Sequence, residues 1–225
     1  MRRTRRRQDP ERTRVAILEA ACTLLAKDGP EGLSVSQVAQ LAKVNRGTAY
    51  QHFQTREQLL EATTAWVSEK LRRAVFGDAP LSNAVATLGD AQGVAQRMAE
   101  FAMENPALGR VWLFELLASS RPASDPFWNQ FKTSLERFAA SDQAQPGIDV
   151  DVHAVIVLIG TLLWPIFVRA DSRTAKQRRQ LVERFSNEML RLSLQGTMRP
   201  EKFPELDAHL RATRGDRPRR AGTAK

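Results

Sequence analysis

The chain has 225 residues, 42% of them apolar, with 34 Lys+Arg against 25 Asp+Glu, three His and one Cys, for a formal net charge of +9. That length and apolar fraction exclude a disordered chain and permit one or two cored domains. A single cysteine excludes an intramolecular disulfide framework and a cysteine-based zinc cluster, and it fits a reducing compartment. The charge is uneven. Residues 1–14 carry net +5, residues 211–225 carry net +5, and the body between them carries net −1. Both basic ends lack an apolar face, so neither can offset the entropy of ordering its backbone. The N-terminus carries arginines without the apolar run of a secretory signal. A flexible Arg arm beside a DNA-binding unit suits the minor groove or the phosphates.

In chain order, apolar residues at Val15, Leu18, Cys22 and Leu25 predict a first helix that stops at Asp28-Gly29-Pro30. Ser34 can cap a short second helix carrying Val35, Val38 and Ala39, and Asn45 a third that runs to about Phe53. Thr55 can cap a fourth, with Glu57 and Glu61 in the half where the helix dipole favours acids. Beyond Gly77-Asp78-Ala79-Pro80 the helices lengthen. Val85, Leu88, Ala95, Met98 and Ala102 share one face, and Pro106 opens the next helix. Arg121-Pro122 breaks the chain before Trp128, Phe131, Leu135 and Phe138 repeat at three and four. Pro146-Gly147 breaks it again, and a last helix carries Leu181 or Val182, Phe185, Met189 and Leu192 up to Gly196. With no useful β alternation, the fold class is all-α. The predicted organisation is a basic disordered arm at 1–11 and a helix-turn-helix domain at 12–55. A larger helical effector-binding and dimerisation domain follows at 56–196, then an extension at 197–225 that is basic and disordered at its end.

Val152–Val168 is interrupted only by His153 and Thr161, at the lower edge of the roughly 17–25 residues that cross a bilayer. Pro165 and Gly160 imply a kink. Nothing else in the chain offers a second span, so a central helix packed inside a domain or between two subunits is the better account. Its first polar residue, His153, reads as a structural histidine ahead of a ligand contact. Cys22, on an apolar helix face, reads as buried and inert.

The run from Leu33 to Leu60 carries the function. Two short helices are joined at Ala42-Lys43-Val44, with Val38, Ala39, Val44 and Ala49 set to pack inward. This spacing is that of a helix-turn-helix, whose second helix can lie in the major groove. Its outward residues are Asn45, Arg46, Thr48, Tyr50, Gln51 and His52. Arg46 can meet a guanine edge with two donors and Gln51 an adenine. Hydroxyls and the His52 ring suit phosphate oxygens.

With Ser34, Val38-Ala39, Val44, Asn45-Arg46-Gly47-Thr48, Tyr50, His52-Phe53, Arg56 and Leu59, the chain resembles the TetR family of bacterial transcriptional regulators over residues 12 to 65. The resemblance implies base or backbone contacts by Ser36, Arg46, Gly47 and Thr48, and phosphate contacts by Ser34, Tyr50, His52 and Arg56. Two positions depart from the family pattern. Lys43 stands where the turn usually has Gly, which implies a left-handed backbone at a cost of about a kcal/mol or more. Ala49 stands where Leu is usual and supplies less packing volume.

The C-terminal part holds 13 of the 15 aromatics. Most fit a core, yet the excess permits an apolar pocket between helices. Its candidate lining is Met98, Phe101, Met103, Trp112, Phe114, Trp128, Phe131, Trp164 and Phe167. The scarcity of acids and histidines in these runs favours an apolar or aromatic ligand over a metal. Scattered histidines, the lack of a G-x-S-x-G elbow and the lack of a strand-linked phosphate loop argue against an enzyme, and no cofactor is implied. Asp149 and Asp151 precede a helix and complement its dipole.

The resulting expectation is a cytoplasmic homodimer that binds double-stranded DNA at a pseudo-palindromic operator, most simply a repressor released by a small apolar or aromatic effector. Helices near 149–170 and 173–195 would pair across the twofold axis, as the resemblance implies. The rival expectations are a ligand-independent DNA-binding protein whose C-terminal domain only dimerises or meets a protein partner, favoured by a filled core, and an enzyme, favoured by a pocket of convergent, pKa-shifted groups.

Overall fold

A computed structural model of the chain describes residues 9–78, 89–120 and 124–215. The expectations for Val85, Leu88, Arg121-Pro122, the N-terminal arm before Asp9 and the chain after Gly215 lie outside the described residues. Among those described, ten α-helices follow one another: α1 Pro10–Asp28, α2 Val35–Leu41, α3 Arg46–His52, α4 Arg56–Phe76, α5 Gly89–Glu104, α6 Pro106–Ala118, α7 Pro126–Ala139, α8 Val150–Phe167, α9 Ala175–Gly196 and α10 Pro204–Gly215. No strand pairs with another in this part of the chain; a single bridge joins Ala144 and Met198.

The helix starts are those that side-chain chemistry dictates. Asp9, Ser34, Asn45, Thr55, Asp125, Asp149 and Thr174 each accept a hydrogen bond from a backbone N–H in the first turn of the helix they precede. Such caps satisfy donors with no partner inside the helix. Gly29 and Gly77 end α1 and α4 with positive φ, which only a residue without a Cβ adopts freely.

One apolar core runs from Ile17, Leu18 and Cys22 of α1 through Val38, Ala49 and Phe53 to Leu59, Val67 and Leu71 of α4. It continues to Met98, Trp112, Phe127 and Leu158. The core is therefore continuous across residue 55, because α4 packs on α1 at one end and on α5, α6 and α7 along its length. Phe127 anchors the middle, with Trp112 edge-on at 5.5 Å and Phe131 stacked at 6.1 Å. The geometry is that of favourable aromatic pairs.

Two features change the picture. The segment after Gly196 begins as a packed extension: Phe203 and Leu210, with Leu206 beside them, pack on Leu190, Leu194 and Met198. Arg199 Nε donates to the Ala144 carbonyl at 2.9 Å, and Lys202 pairs with Asp142 at 2.6 Å, which holds the Asp142 carboxyl below its ordinary pKa. The helix extends to Gly215, into the basic tail, because one apolar face suffices once a neighbour exists to receive it. The second change concerns α8. It is apolar and long enough to cross a membrane, yet within this chain only a third of it is buried. Val152, Ile156, Leu163 and Phe167 face solvent, Phe167 at 81% exposure. Among the described residues, therefore, its own domain does not enclose the helix on every side.

Candidate nucleic-acid interface and helical cavity

Helices α2 and α3 meet through Val38, Ala39 and Ala49, each at most 2% exposed, with Val44 partly buried against them. The small Ala49 side chain, which the sequence flagged for its low volume, is fully enclosed. Lys43 makes the turn with φ 55, the left-handed conformation the sequence implied. Its N–H donates to the Gln40 carbonyl, and the Val44 N–H donates to Ala39 at 3.0 Å. The turn thus keeps its backbone bonds while carrying the strain of a residue with a Cβ.

This packing turns one face of α3 outward. Arg46, Gly47, Tyr50 and Gln51 are exposed, and Thr48 and His52 are half-buried beside them. Asn45 is also exposed, but its Oδ1 accepts the Gly47 N–H at 2.8 Å, so the side chain serves first as a cap. A Cβ on residue 47 would stand 3.3 Å from that oxygen, which favours glycine there. Ser36 on α2 lies 3.4 Å from the Tyr50 hydroxyl, close enough for the two hydroxyls to hold the helices in register. Ser34 accepts the Gln37 N–H at 3.2 Å and donates to Gln37 Oε1 at 3.1 Å. Arg56 reaches back to the Pro30 carbonyl at 2.7 Å and sits 3.6 Å from Glu31. It ties the start of α4 to the chain entering α2. Of the ten residues singled out in sequence, Arg46, Gly47, Tyr50 and Gln51 form the open face, with Thr48 and His52 at its margin. Ser34, Asn45 and Arg56 hold the frame, and Ser36 joins the two roles.

A second feature lies between α5, α7, α8 and α9: a cavity of about 650 Å³. Met98, Met103 and Phe131 of the predicted lining face it. The other six do not. Trp112 fills the core against Phe127, and Phe101 and Trp128 pack partly buried on that same core. Phe114 and Phe167 are exposed on outer helix faces. Trp164 donates Nε1–H to the Leu181 carbonyl at 3.2 Å and stacks on Phe185 at 5.9 Å, which ties α8 to α9. Choosing residues by aromatic content found α5 and α7 but missed the α9 wall, where Val182, Ser186, Leu190 and Ser193 line the space. Their spacing of three and four along α9 was the available signal.

The wall also revises the reading of His153. Its half-buried ring faces the cavity, and no described residue offers it a hydrogen bond. Burial lowers its pKa and favours the neutral imidazole. Cys22 is buried as expected, its thiol pushed up to about 11 by desolvation. Among the described residues no group of three or more His, Cys, Asp and Glu could hold a metal.

A short helix pair of this geometry, with one polar helical face presented to solvent, defines a helix-turn-helix protein. Comparison with known proteins narrows the class. Residues 17–63 match the model of the bacterial regulatory proteins of the tetR family. Over 80 residues the chain is 39% identical to the HTH-type transcriptional repressor Rv3405c of Mycobacterium tuberculosis and to the HTH-type transcriptional regulator Mb3439c of Mycobacterium bovis. That alignment spans 34% of this chain and 43% of either relative, less than half of their length. CprB of S. coelicolor A3(2), described as a TetR family protein, superposes with TM-score 0.62 at 23% identity, covering 88% of this chain and 97% of that one. A gamma-butyrolactone receptor superposes with TM-score 0.59 at 22% identity, covering 91% and 98%. These superpositions establish that the later helices share the fold. Residues 17–63 are thus similar to the N-terminal domain of the bacterial regulatory proteins of the tetR family, and the helices beyond them share a fold with solved members.

Proposed function

We propose that the protein is a dimeric, sequence-specific DNA-binding regulator of transcription, a cytoplasmic repressor released by a small, largely apolar effector. The observation that carries this reading is the α2–turn–α3 unit, with Arg46, Tyr50 and Gln51 exposed on one face of a helix whose other face is held by an apolar interior. Arg46 would read a guanine edge. Tyr50, Thr48 and His52 would fix register on phosphates, and residues 1–8 would add phosphate or minor-groove contacts.

The solvent-facing stripe of Val152, Ile156, Leu163 and Phe167 supports pairing of α8 with its copy. Exposed apolar side chains aligned on one helix are the usual mark of a protein contact. A twofold pair would set two α3 helices about 34–36 Å apart, one turn of duplex, and call for a pseudo-palindromic site. The cavity supports effector control over the rival in which the C-terminal part only dimerises. Its α5 wall also contacts α4: Arg97 donates to the Val75 carbonyl at 2.6 Å, and α4 leads back to the DNA-reading pair. An effector with different affinity for two placements of α4 would shift the DNA-competent population.

Selection from random duplex DNA tests the core of the proposal. Enrichment of an inverted repeat with half-sites about one helical turn apart is the expected outcome. Binding that stays sequence-independent at 150–200 mM salt would refute it, since non-specific phosphate binding weakens steeply there.

A further inference from the structure

The charges around the cavity are sorted by depth. Glu100, Glu104 and Glu183 balance Arg137, Arg178 and Arg179, and all but Arg178 lie exposed at the rim. The Arg178 guanidinium is already committed to the Arg173 carbonyl at 2.7 Å. Among the described residues the buried wall carries no ionised group: Met98, Met103, Phe131, Val157 and Leu190 share it with Thr161, whose hydroxyl donates to the Val157 carbonyl at 2.7 Å. Among the described lining residues, the half-buried polar side chains without a protein partner include Ser186, whose Oγ is buried, and His153, whose ring carries both a donor and an acceptor. His153 stands where the cavity adjoins a shallower pocket formed by Pro146–Asp149 and Thr197.

We infer that the cavity takes an uncharged, mainly aliphatic molecule bearing one hydroxyl or carbonyl group, and that the His153 ring is the residue that reads that group. This deepens the effector reading above and rests on it. A carboxylate or an ammonium carried into this wall would lose its water with no opposite charge to receive it, which disfavours both ions. The balanced rim offers neither ion a net attraction. A neutral imidazole has one donor and one acceptor, so it can serve an alcohol or a ketone, and burial favours that neutral form.

The test uses the purified full chain and the neutral fluorescent probe N-phenyl-1-naphthylamine, displaced in turn by decanol, decanoate and decylamine. These competitors share a ten-carbon chain and differ only at the polar end. Saturable probe uptake, with decanol displacing it at least about tenfold more tightly than either ion, is the expected result. His153→Phe keeps the apolar wall and removes the hydrogen bond. It should weaken decanol by about two- to tenfold, the range of one net hydrogen bond, while leaving the probe's own affinity within about twofold. His153→Gln, which retains a donor and an acceptor, should recover most of that loss. Absence of probe uptake would overturn the effector cavity itself and this inference with it. Probe uptake with decanoate or decylamine displacing as well as decanol would overturn only the ligand class. Equal decanol affinity in His153→Phe and the parent would overturn the role of His153.

Discussion

Replacing Ile156 with Asp tests whether the bare face of α8 is an interface. Ile156 lies near the middle of that stripe and is 61% exposed in the single chain. Complete burial of such a side chain contributes about 1.5–3 kcal/mol, so covering the exposed part contributes about 1–2 kcal/mol. In a twofold contact each substitution counts twice, giving about 2–4 kcal/mol, or roughly 30- to 700-fold in the dissociation constant at 1.4 kcal/mol per decade. An aspartate is too short to carry its carboxylate out to solvent, so desolvation adds to that figure. Since the parent side chain is mostly exposed within its own chain, the fold of each protomer should be kept. Sedimentation equilibrium over a micromolar series should show Ile156→Asp as a 25 kDa species where the parent is a dimer. Circular dichroism should show unchanged helix content. An undiminished dimer of Ile156→Asp would refute the assignment of α8 to the interface. A monomeric parent would refute the dimer.

Four further outcomes are expected. Arg46→Ala should lose about 1–3 kcal/mol on the selected operator and relax its preference at one base pair, measured by fluorescence anisotropy; an equal loss on every duplex would make Arg46 a phosphate contact instead. Lys43→Gly should raise stability by about 0.5–1 kcal/mol in urea unfolding, because relief of the left-handed strain at φ 55 exceeds the entropy that glycine adds to the unfolded chain; a loss of stability would show that the lysine side chain holds the turn. Glu69 bonds Arg72 and Arg73, and these contacts, Arg72 foremost, hold its carboxyl at about 2 in the folded state against an ordinary 4.5. The stabilisation is therefore complete above about pH 4.5 and lost as pH falls toward 2; with the carboxylate more than a third exposed and screened it amounts to about 1 kcal/mol, and Glu69→Gln should remove this part of the acid transition in a pH series of thermal melts. Deleting residues 2–7, which carry five arginines, should flatten the salt dependence of DNA binding, and an unchanged slope would show the arm makes no phosphate contacts.

Local chemistry made the helix-turn-helix readable in the chain. Ser34, Asn45 and Thr55 are caps whose bonds close within three residues, and Val38, Ala39 and Ala49 repeat at helical spacing, so these features need no distant partner to be recognised. The left-handed Lys43 was implied only by the family resemblance, in which the turn usually has Gly at that position. Tertiary structure decided what each polar or apolar side chain faces. Arg56, to which the resemblance assigns a phosphate contact, also donates to the Pro30 carbonyl, 26 residues back, a contact that exists only when α4 folds onto the turn before α2. Trp112 and Met98 are alike in sequence as apolar residues on helices; one fills the core against Phe127, and the other also borders the cavity, according to how α5, α7, α8 and α9 come together. Periodicity marks α8 as apolar on all sides, but it cannot say whether its own domain supplies the cover. The structure leaves Val152, Ile156, Leu163 and Phe167 open because, among the described residues, no helix reaches them. Spacing along one helix sets which residues share a face, whereas burial depends on which other element arrives there, and that is a property of the whole chain.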